Sequence, residues 1–179
     1  MMAMVFGHFT VIPYLAPYLV GNTGLPEKSL FLVYLTGGLV TIFTGPFIGK
    51  MADCHGRFKI YAILVAGACI VIRLLTSSGP LPLWHTLVLA GLFFAFASGR
   101  FIPGQAVISM AVPSNKRGAY MSLVACSRDL ASGITAAIGG NIVIAGANGH
   151  LLHFERLGWL AIGISIASLW IFRLLKSGE

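Results

Sequence analysis

Charge is what this sequence lacks most. Only 9% of its 179 residues are charged, with 12 Lys or Arg against 5 Asp or Glu, whereas 57% are hydrophobic. A soluble domain carries about 25% charged residues, which keep its surface hydrated. An ordinary water-exposed surface is therefore excluded, and the lipid bilayer must be the solvent for most of the chain.

Further absences exclude several classes of function. The net charge of +7 comes from basic residues scattered between apolar segments, without a basic face that carries aromatics, so nucleic acid is not an expected partner. Cysteines 54, 69 and 126 are odd in number and lack metal-ligand spacing, so we expect neither a disulfide nor a metal site. Catalytic triads, phosphate loops and carboxylate pairs are also missing. The sequence predicts no enzyme and no cofactor.

Long apolar runs are what the sequence has instead. A helix needs about 20 apolar residues to cross the hydrocarbon core. These runs are much longer than barrel strands and do not alternate, so they predict helices. The sequence thus predicts an all-α integral membrane protein, with one domain over residues 1–179 and almost no residues left for a soluble part. The six predicted spans are 4–21, 29–49, 59–78, 83–111, 119–146 and 157–175.

The distribution of Lys and Arg predicts the orientation. If the N-terminus is cytoplasmic, seven basic residues lie in the inner loops and the C-terminal tail, and three lie in the outer loops and helix ends. Because short cytoplasmic loops carry an excess of Lys and Arg, this count favours a multi-pass protein of the cell's inner membrane with both termini in the cytoplasm.

A charged stretch interrupts the apolar pattern between the second and third predicted helices, and it reads GPFIGKMADCHGRFK over residues 45–59. Its order resembles the signature Gly-x-x-x-Asp-Arg-x-Gly-Arg-Arg/Lys, which marks a cytoplasmic loop in transporters of the major facilitator superfamily. A generic loop that keeps basic residues on the cytoplasmic side is the alternative. The matching residues are Gly49, Asp53, Gly56, Arg57 and Lys59.

The match has two departures and one supporting feature. Cys54 stands where arginine is usual, and Phe58 displaces the second basic residue by one position. A second resemblance lies in VPSNKRGAYMSLV, where Pro113 and then Arg117-Gly118 precede the fifth predicted helix, as in the family's loop between helices four and five. The resemblance covers essentially the whole chain.

For the loop, the resemblance implies a conformational role rather than substrate binding. Gly49 would let one helix end approach a neighbour closely, and Gly56 would permit a tight reversal of the chain. Asp53 would pair across the bundle in one access state and separate in the other. Arg57 and Lys59 would lie at the anionic inner leaflet.

The family consists of two repeats of six helices, so the chain has the length of one half. Drug/proton antiporters carry Gly-Pro in the fifth helix where this sequence has Thr135-Ala136, and the segment RDLASGITAAIGGNIV resembles the eleventh helix more closely. The chain also begins inside an apolar segment, without a hydrophilic leader. We therefore expect helices 7–12 of a twelve-helix transporter.

The resemblance implies a secondary active transporter, working by efflux, symport or antiport, that moves a small organic solute by alternating access, with proton coupling. Its partners would be the lipid bilayer, the small-molecule substrate and the missing six-helix half, supplied by the same polypeptide or by a second copy. Two alternatives stay open: a channel or pore component, and a membrane scaffold or degenerate fragment without transport activity.

Candidates for the substrate cavity come from the first and fourth helices, which line it in this family. Tyr14 and Tyr18 share a face of a helix that two prolines bend, although an interfacial aromatic belt is an equal alternative. Arg100, with Gln105 as a weaker companion, lies between apolar runs beside Pro103-Gly104, which suggests a locally broken helix. Its alternatives are a structural pair or snorkelling to the inner surface. Asn141 could touch substrate, but packing is favoured.

Candidates for coupling are fewer. Asp129 is the plausible intramembrane carboxylate, and Arg128 next to it points about 100° away on a helix, so the two need not pair. Gating ion pairs with neighbouring helices are the favoured alternative. His8 could be proton-sensitive, although a hydrogen-bonded packing histidine is expected. The glycines at 37, 38, 45, 49, 139 and 140 predict close helix packing.

Overall fold

The protein is almost entirely helical in the computed structural model, which describes residues 1–146 and 149–176. Eight α-helices follow one another, and a two-stranded hairpin separates the last two. In the hairpin, β1 (Ile144–Ala145) pairs antiparallel with β2 (Leu151–Leu152). The helices are α1 (Met2–Phe9), α2 (Ile12–Gly21), α3 (Leu30–His55), α4 (Arg57–Thr76), α5 (Leu83–Phe93), α6 (Phe101–Met110), α7 (Arg117–Ile142) and α8 (Phe154–Lys176).

Within the described part of the chain, five helical segments are long and apolar enough to cross a membrane. They correspond to the first, second, third, fourth and sixth predicted spans. The fifth predicted span is α7, a helix of 26 residues that is less apolar than the others. Its helix ends at Ile142 rather than at residue 146, because the chain turns there into β1. The five segments are Met2–Gly21, Glu27–His55, Arg57–Thr76, Leu83–Met110 and Phe154–Arg173.

The predicted loop of residues 50–58 is wrong. Helix α3 continues to His55, α4 begins at Arg57, and Gly56 alone forms the reversal. Residues 50–55 remain helical, with Lys50, Asp53 and His55 exposed and Ala52 buried. Gly56 adopts φ 93°, a backbone conformation that glycine reaches without a steric penalty.

The first span is broken, as its prolines predict. Helix α1 ends at Phe9, and α2 begins at Ile12, one position before Pro13, whose ring removes a backbone donor. The hydroxyl of Thr10 donates to the Phe6 carbonyl, which also accepts from the Thr10 amide. The Val11 amide turns back to the His8 carbonyl at 3.2 Å, which closes the break.

The fourth span is also irregular, one turn before the expected position. A π-helical turn, Phe94–Ser98, separates α5 from α6. Pro103 follows in the first turn of α6, where it cannot donate to the carbonyl of Gly99. The π turn places Phe94 against Gly37 of α3 and Phe96 against Gly67 of α4, so the irregular segment is fixed by rings that pack on glycines.

The interior is a core of apolar side chains from α2, α4, α5 and α8, including Leu15, Ile72, Phe93 and Leu157. The outer surface is apolar as well. Large hydrophobic side chains are exposed on α3, α4 and α8, among them Phe43, Ile70 and Trp170. An apolar exterior of this extent matches a lipid solvent rather than water.

Candidate functional site

Arg100 lies at the centre of a buried polar cluster. It follows the π turn, and its side chain is 0% exposed. Nη1 donates to the Ser165 hydroxyl at 2.8 Å, and Nη2 donates to the Met4 carbonyl at 3.2 Å. Nε is buried without a hydrogen-bond partner among the described atoms. Arg100 therefore joins the fourth span to α1 and α8.

A chain of hydroxyl groups extends this cluster to α4. Ser168 donates its single proton to the Ser165 carbonyl at 2.6 Å. The 2.6 Å contact between Tyr61 and Ser168 must therefore be a bond that the tyrosine donates. One network thus joins the fourth span, through Arg100, to α1, α4 and α8.

Gly7 lets α1 approach this network. A Cβ atom at Gly7 would overlap the Ser165 hydroxyl and stand 3.1 Å from Nη2 of Arg100. The close approach brings the Met4 carbonyl within reach of the guanidinium. Glycine is required here for space, since its backbone lies in an ordinary helix.

The burial and the partners of Arg100 decide between the alternatives predicted for its side chain. Snorkelling to the inner surface is wrong, because the side chain is completely buried. Within the described residues no carboxylate lies in ion-pair distance of Arg100, so its partners are a hydroxyl and a carbonyl. Contact with substrate stays a prediction.

His8 is buried among aromatic rings near this cluster. Its ring stacks on Phe93 at 5.7 Å and meets the edges of Phe9 and Phe101. The expected packing role fits this position, but the expected hydrogen bond is missing at Nδ1, which has no partner among the described atoms.

The two tyrosines of the first span do not act together. Tyr14 donates to the Ala136 carbonyl of α7 at 2.6 Å, whereas Tyr18 donates to the Ser78 carbonyl at 2.6 Å. The Tyr18 ring is buried and stacked on Phe154 at 4.1 Å, and its placement in an interfacial belt stays a prediction. Although the two tyrosines are four residues apart, their hydroxyl groups bond to different parts of the chain, α7 and the segment after α4.

The coupling candidates lie on the exposed face of α7. Arg128 pairs with Asp129 at 3.1 Å, and the two side chains are 43% and 71% exposed. Ion pairs with neighbouring helices are therefore wrong for the described residues: the long arginine side chain overcomes the 100° offset and folds back on its neighbour. Asn141 donates to the Ala137 carbonyl of its own helix at 2.9 Å and is exposed, as is Gln105 on α6.

The loop signature forms one local contact. Asp53 pairs with Arg57 at 3.4 Å across the Gly56 reversal, and Lys59 is exposed. The expected close approach at Gly49 is wrong within this chain, because a Cβ there would lie 3.9 Å from Ile102, an ordinary contact.

The other glycines predicted as packing sites fall into two groups, those with a close neighbour and those without one. Gly37 and Gly139 are close packing sites, since a Cβ would overlap the rings of Phe94 and Tyr14, respectively, and Gly140 lies near the Tyr14 hydroxyl. Gly45 has only an ordinary contact, and nothing lies within 4 Å of a Cβ at Gly38. The close-packing prediction is therefore wrong at 38 and 45 within this chain.

Sequence patterns did not predict three members of the Arg100 network, Ser165, Ser168 and Tyr61. Two serines three residues apart on one face of an apolar helix were the available signal, because small polar residues often bond across membrane helices. Nothing in the sequence indicates that this face meets Arg100, 65 residues away in the chain.

These features define a multi-pass α-helical membrane protein with a buried cationic centre and one polar, exposed helix. The sequence profile of the Major Facilitator Superfamily matches residues 1–178, and the chain belongs to that family. The members of this family are transporters, and membership therefore implies a role in transport across the bilayer.

Proposed function

We propose that the chain is one six-helix half, helices 7–12, of a secondary active transporter in the cell's inner membrane. It moves a small organic solute by alternating access, with both termini in the cytoplasm. The loop signature, the likeness of α7 to an eleventh helix and the distribution of Lys and Arg support this assignment.

The exposed face of α7 carries the proposal. With 26 residues, α7 is about 39 Å long, enough to cross a hydrocarbon core of about 30 Å. Yet Arg128 and Asp129 lie near its middle and are exposed. A charged side chain costs about 2.5–3.5 kcal/mol at the centre of a helix in lipid. This face therefore suits a water-filled cavity whose other wall is a second six-helix unit.

Asp129 is the proposed proton carrier of this half. It lies 12 residues from the start of α7, whereas Glu27, Asp53 and Glu155 lie within two residues of the end of a membrane-crossing segment. If transport is coupled to protons, Asp129→Asn should abolish dependence of uptake on the pH gradient. Glu27→Gln is the matched control, since Glu27 lies at the end of a span.

A native cysteine tests whether α7 faces water. Cys126 is exposed on α7, three residues before Asp129. The protein is prepared in membranes with Cys54 and Cys69 replaced by alanine, and a charged, membrane-impermeant thiosulfonate reagent is added. We expect modification of Cys126, because the reagent and the reactive thiolate both require water.

The control is a cysteine on the lipid-facing surface. Ile70 is exposed on α4 beside other exposed apolar residues, Ile63 and Leu74. Ile70→Cys, in a background without Cys126, should stay unmodified. Equal rates at the two positions, or no reaction at Cys126 in either access state, would refute a cavity wall at α7.

A further inference from the structure

A cavity of about 330 Å³ lies beside the α3–α4 reversal, apart from the Arg100 cluster. Four helices contribute to it. Arg57 and Lys59, at the start of α4, form its cationic side. Val107 and Met110 of α6 and Phe172 of α8 form an apolar wall. The cationic side suits a phosphate group, and the apolar wall suits a hydrocarbon chain.

Arg57 has donors to spare. Its ion pair with Asp53 spans 3.4 Å, longer than the roughly 2.7–2.9 Å of a strong charge-assisted hydrogen bond. Its Nη1 contacts the sulfur of Met110, which is a weak acceptor. A guanidinium has five N–H groups in a fork that fits phosphate, so a phosphate ligand would gain bonds that the protein does not supply.

The apolar wall distinguishes the ligand. Phe172 is buried and stacks on Tyr61 at 4.4 Å, which fixes it as a rigid surface. Met110 is 58% exposed, so the wall continues outward to the lipid-facing surface of the helices. A free phosphate would leave this surface unused, whereas a phospholipid would cover it with the upper part of an acyl chain.

We propose that this cavity binds the headgroup of an anionic phospholipid, with its phosphate on Arg57 and Lys59 and its acyl chain along the wall of Val107, Met110 and Phe172. Charge complementarity favours an anionic lipid, because two cations face a single carboxylate, that of Asp53. A bound lipid would tie the reversal between α3 and α4 to α6 and α8.

The test measures lipid binding to the purified full-length protein in detergent. Phosphatidylglycerol, phosphatidylcholine and inorganic phosphate are titrated separately, with thermal stability and native mass spectrometry as readouts. We expect phosphatidylglycerol to bind with saturation and to raise the melting temperature. Arg57→Met should weaken this binding about fivefold, the scale of one cationic contact to an anionic headgroup.

Lys50→Met is the matched control. Lys50 is an exposed cation one turn before Asp53 but does not line the cavity. It should leave binding unchanged, whereas equal losses for Lys50→Met and Arg57→Met would show general attraction to the basic surface and overturn the proposal. An equal stabilisation by inorganic phosphate or by phosphatidylcholine would also overturn it.

Asp53→Asn keeps the proposal testable if the Arg57 variant fails to fold. It removes the carboxylate that competes for the guanidinium, and so it should strengthen phosphatidylglycerol binding. Unchanged or weaker binding in this variant would contradict the assigned role of Arg57.

Discussion

Replacing Gly37 by alanine adds a methyl group where the ring of Phe94 lies, within 2.7 Å of Cε2 and 2.8 Å of Cγ. The same replacement at Gly38 meets nothing within 4 Å. Alanine is favoured over glycine within a helix by about 1 kcal/mol at either position. Overpacking costs about 1–3 kcal/mol, and only Gly37→Ala incurs it. Because the helix term cancels, the two variants should differ in free energy of unfolding by the overpacking cost alone.

The assay is thermal or SDS unfolding of the two single variants in detergent. Gly38→Ala should be more stable than the parent by about 1 kcal/mol, and Gly37→Ala should be less stable than Gly38→Ala by about 1–3 kcal/mol. Phe94→Leu, which removes the ring, should reduce that difference in the double variant. Two variants of equal stability would refute the packing of the π turn against α3.

Three further predictions concern single contacts. Arg100→Met should lose two charge-assisted hydrogen bonds of about 1.5–3 kcal/mol each but regain about 2.5–3.5 kcal/mol of cation burial. The free energy of unfolding should therefore fall only slightly for Arg100→Met. It should fall further for Arg100→Ala, which leaves a void that methionine fills. Equal losses for the two variants would contradict this balance. Asn22→Ala removes both hydrogen bonds between the Asn22 side chain and the Leu151 backbone, at 3.0 and 2.8 Å. Hydrogen exchange at the Leu151 amide should therefore accelerate while the amides of α8 stay protected. Unchanged exchange at Leu151 would contradict the attachment of β2 to Asn22. Tyr14→Phe should lower the free energy of unfolding by about 0.6 kcal/mol, the average for a hydrogen bond between membrane helices. A loss above about 2 kcal/mol would contradict a role limited to this one hydrogen bond.

Sequence patterns predicted where the helices lie more accurately than the residues at which they begin and end. The runs at 59–78 and 83–111 become α4 and the broken α5–α6 span, because about 20 apolar residues in lipid have no alternative to a helix. The loop predicted at 50–58 is wrong because polar residues do not by themselves require an irregular backbone. Charged residues at the end of a span form a helix equally well, and only Gly56 needs to leave it.

The candidate site was predicted in part. Arg100 stood out as a cation between apolar runs, a signal that depends on composition alone. Its partners Ser165 and Met4 lie 65 and 96 residues away in the chain, and hydroxyl and carbonyl groups are too common to be recognised in a sequence. The Arg128–Asp129 pair was not expected, because adjacent residues point about 100° apart on a helix. The arginine side chain is long and flexible enough to reach its neighbour all the same.

By itself the sequence determined the solvent, the helical class and the resemblance to the family, because each follows from composition or from residues close in the chain. The tertiary structure decided which polar groups are buried together. Arg100, Tyr61 and Ser168 come from three different helices, and their burial depends on how glycines such as Gly7 let those helices approach. Packing distances of this kind arise between segments, so no local pattern encodes them.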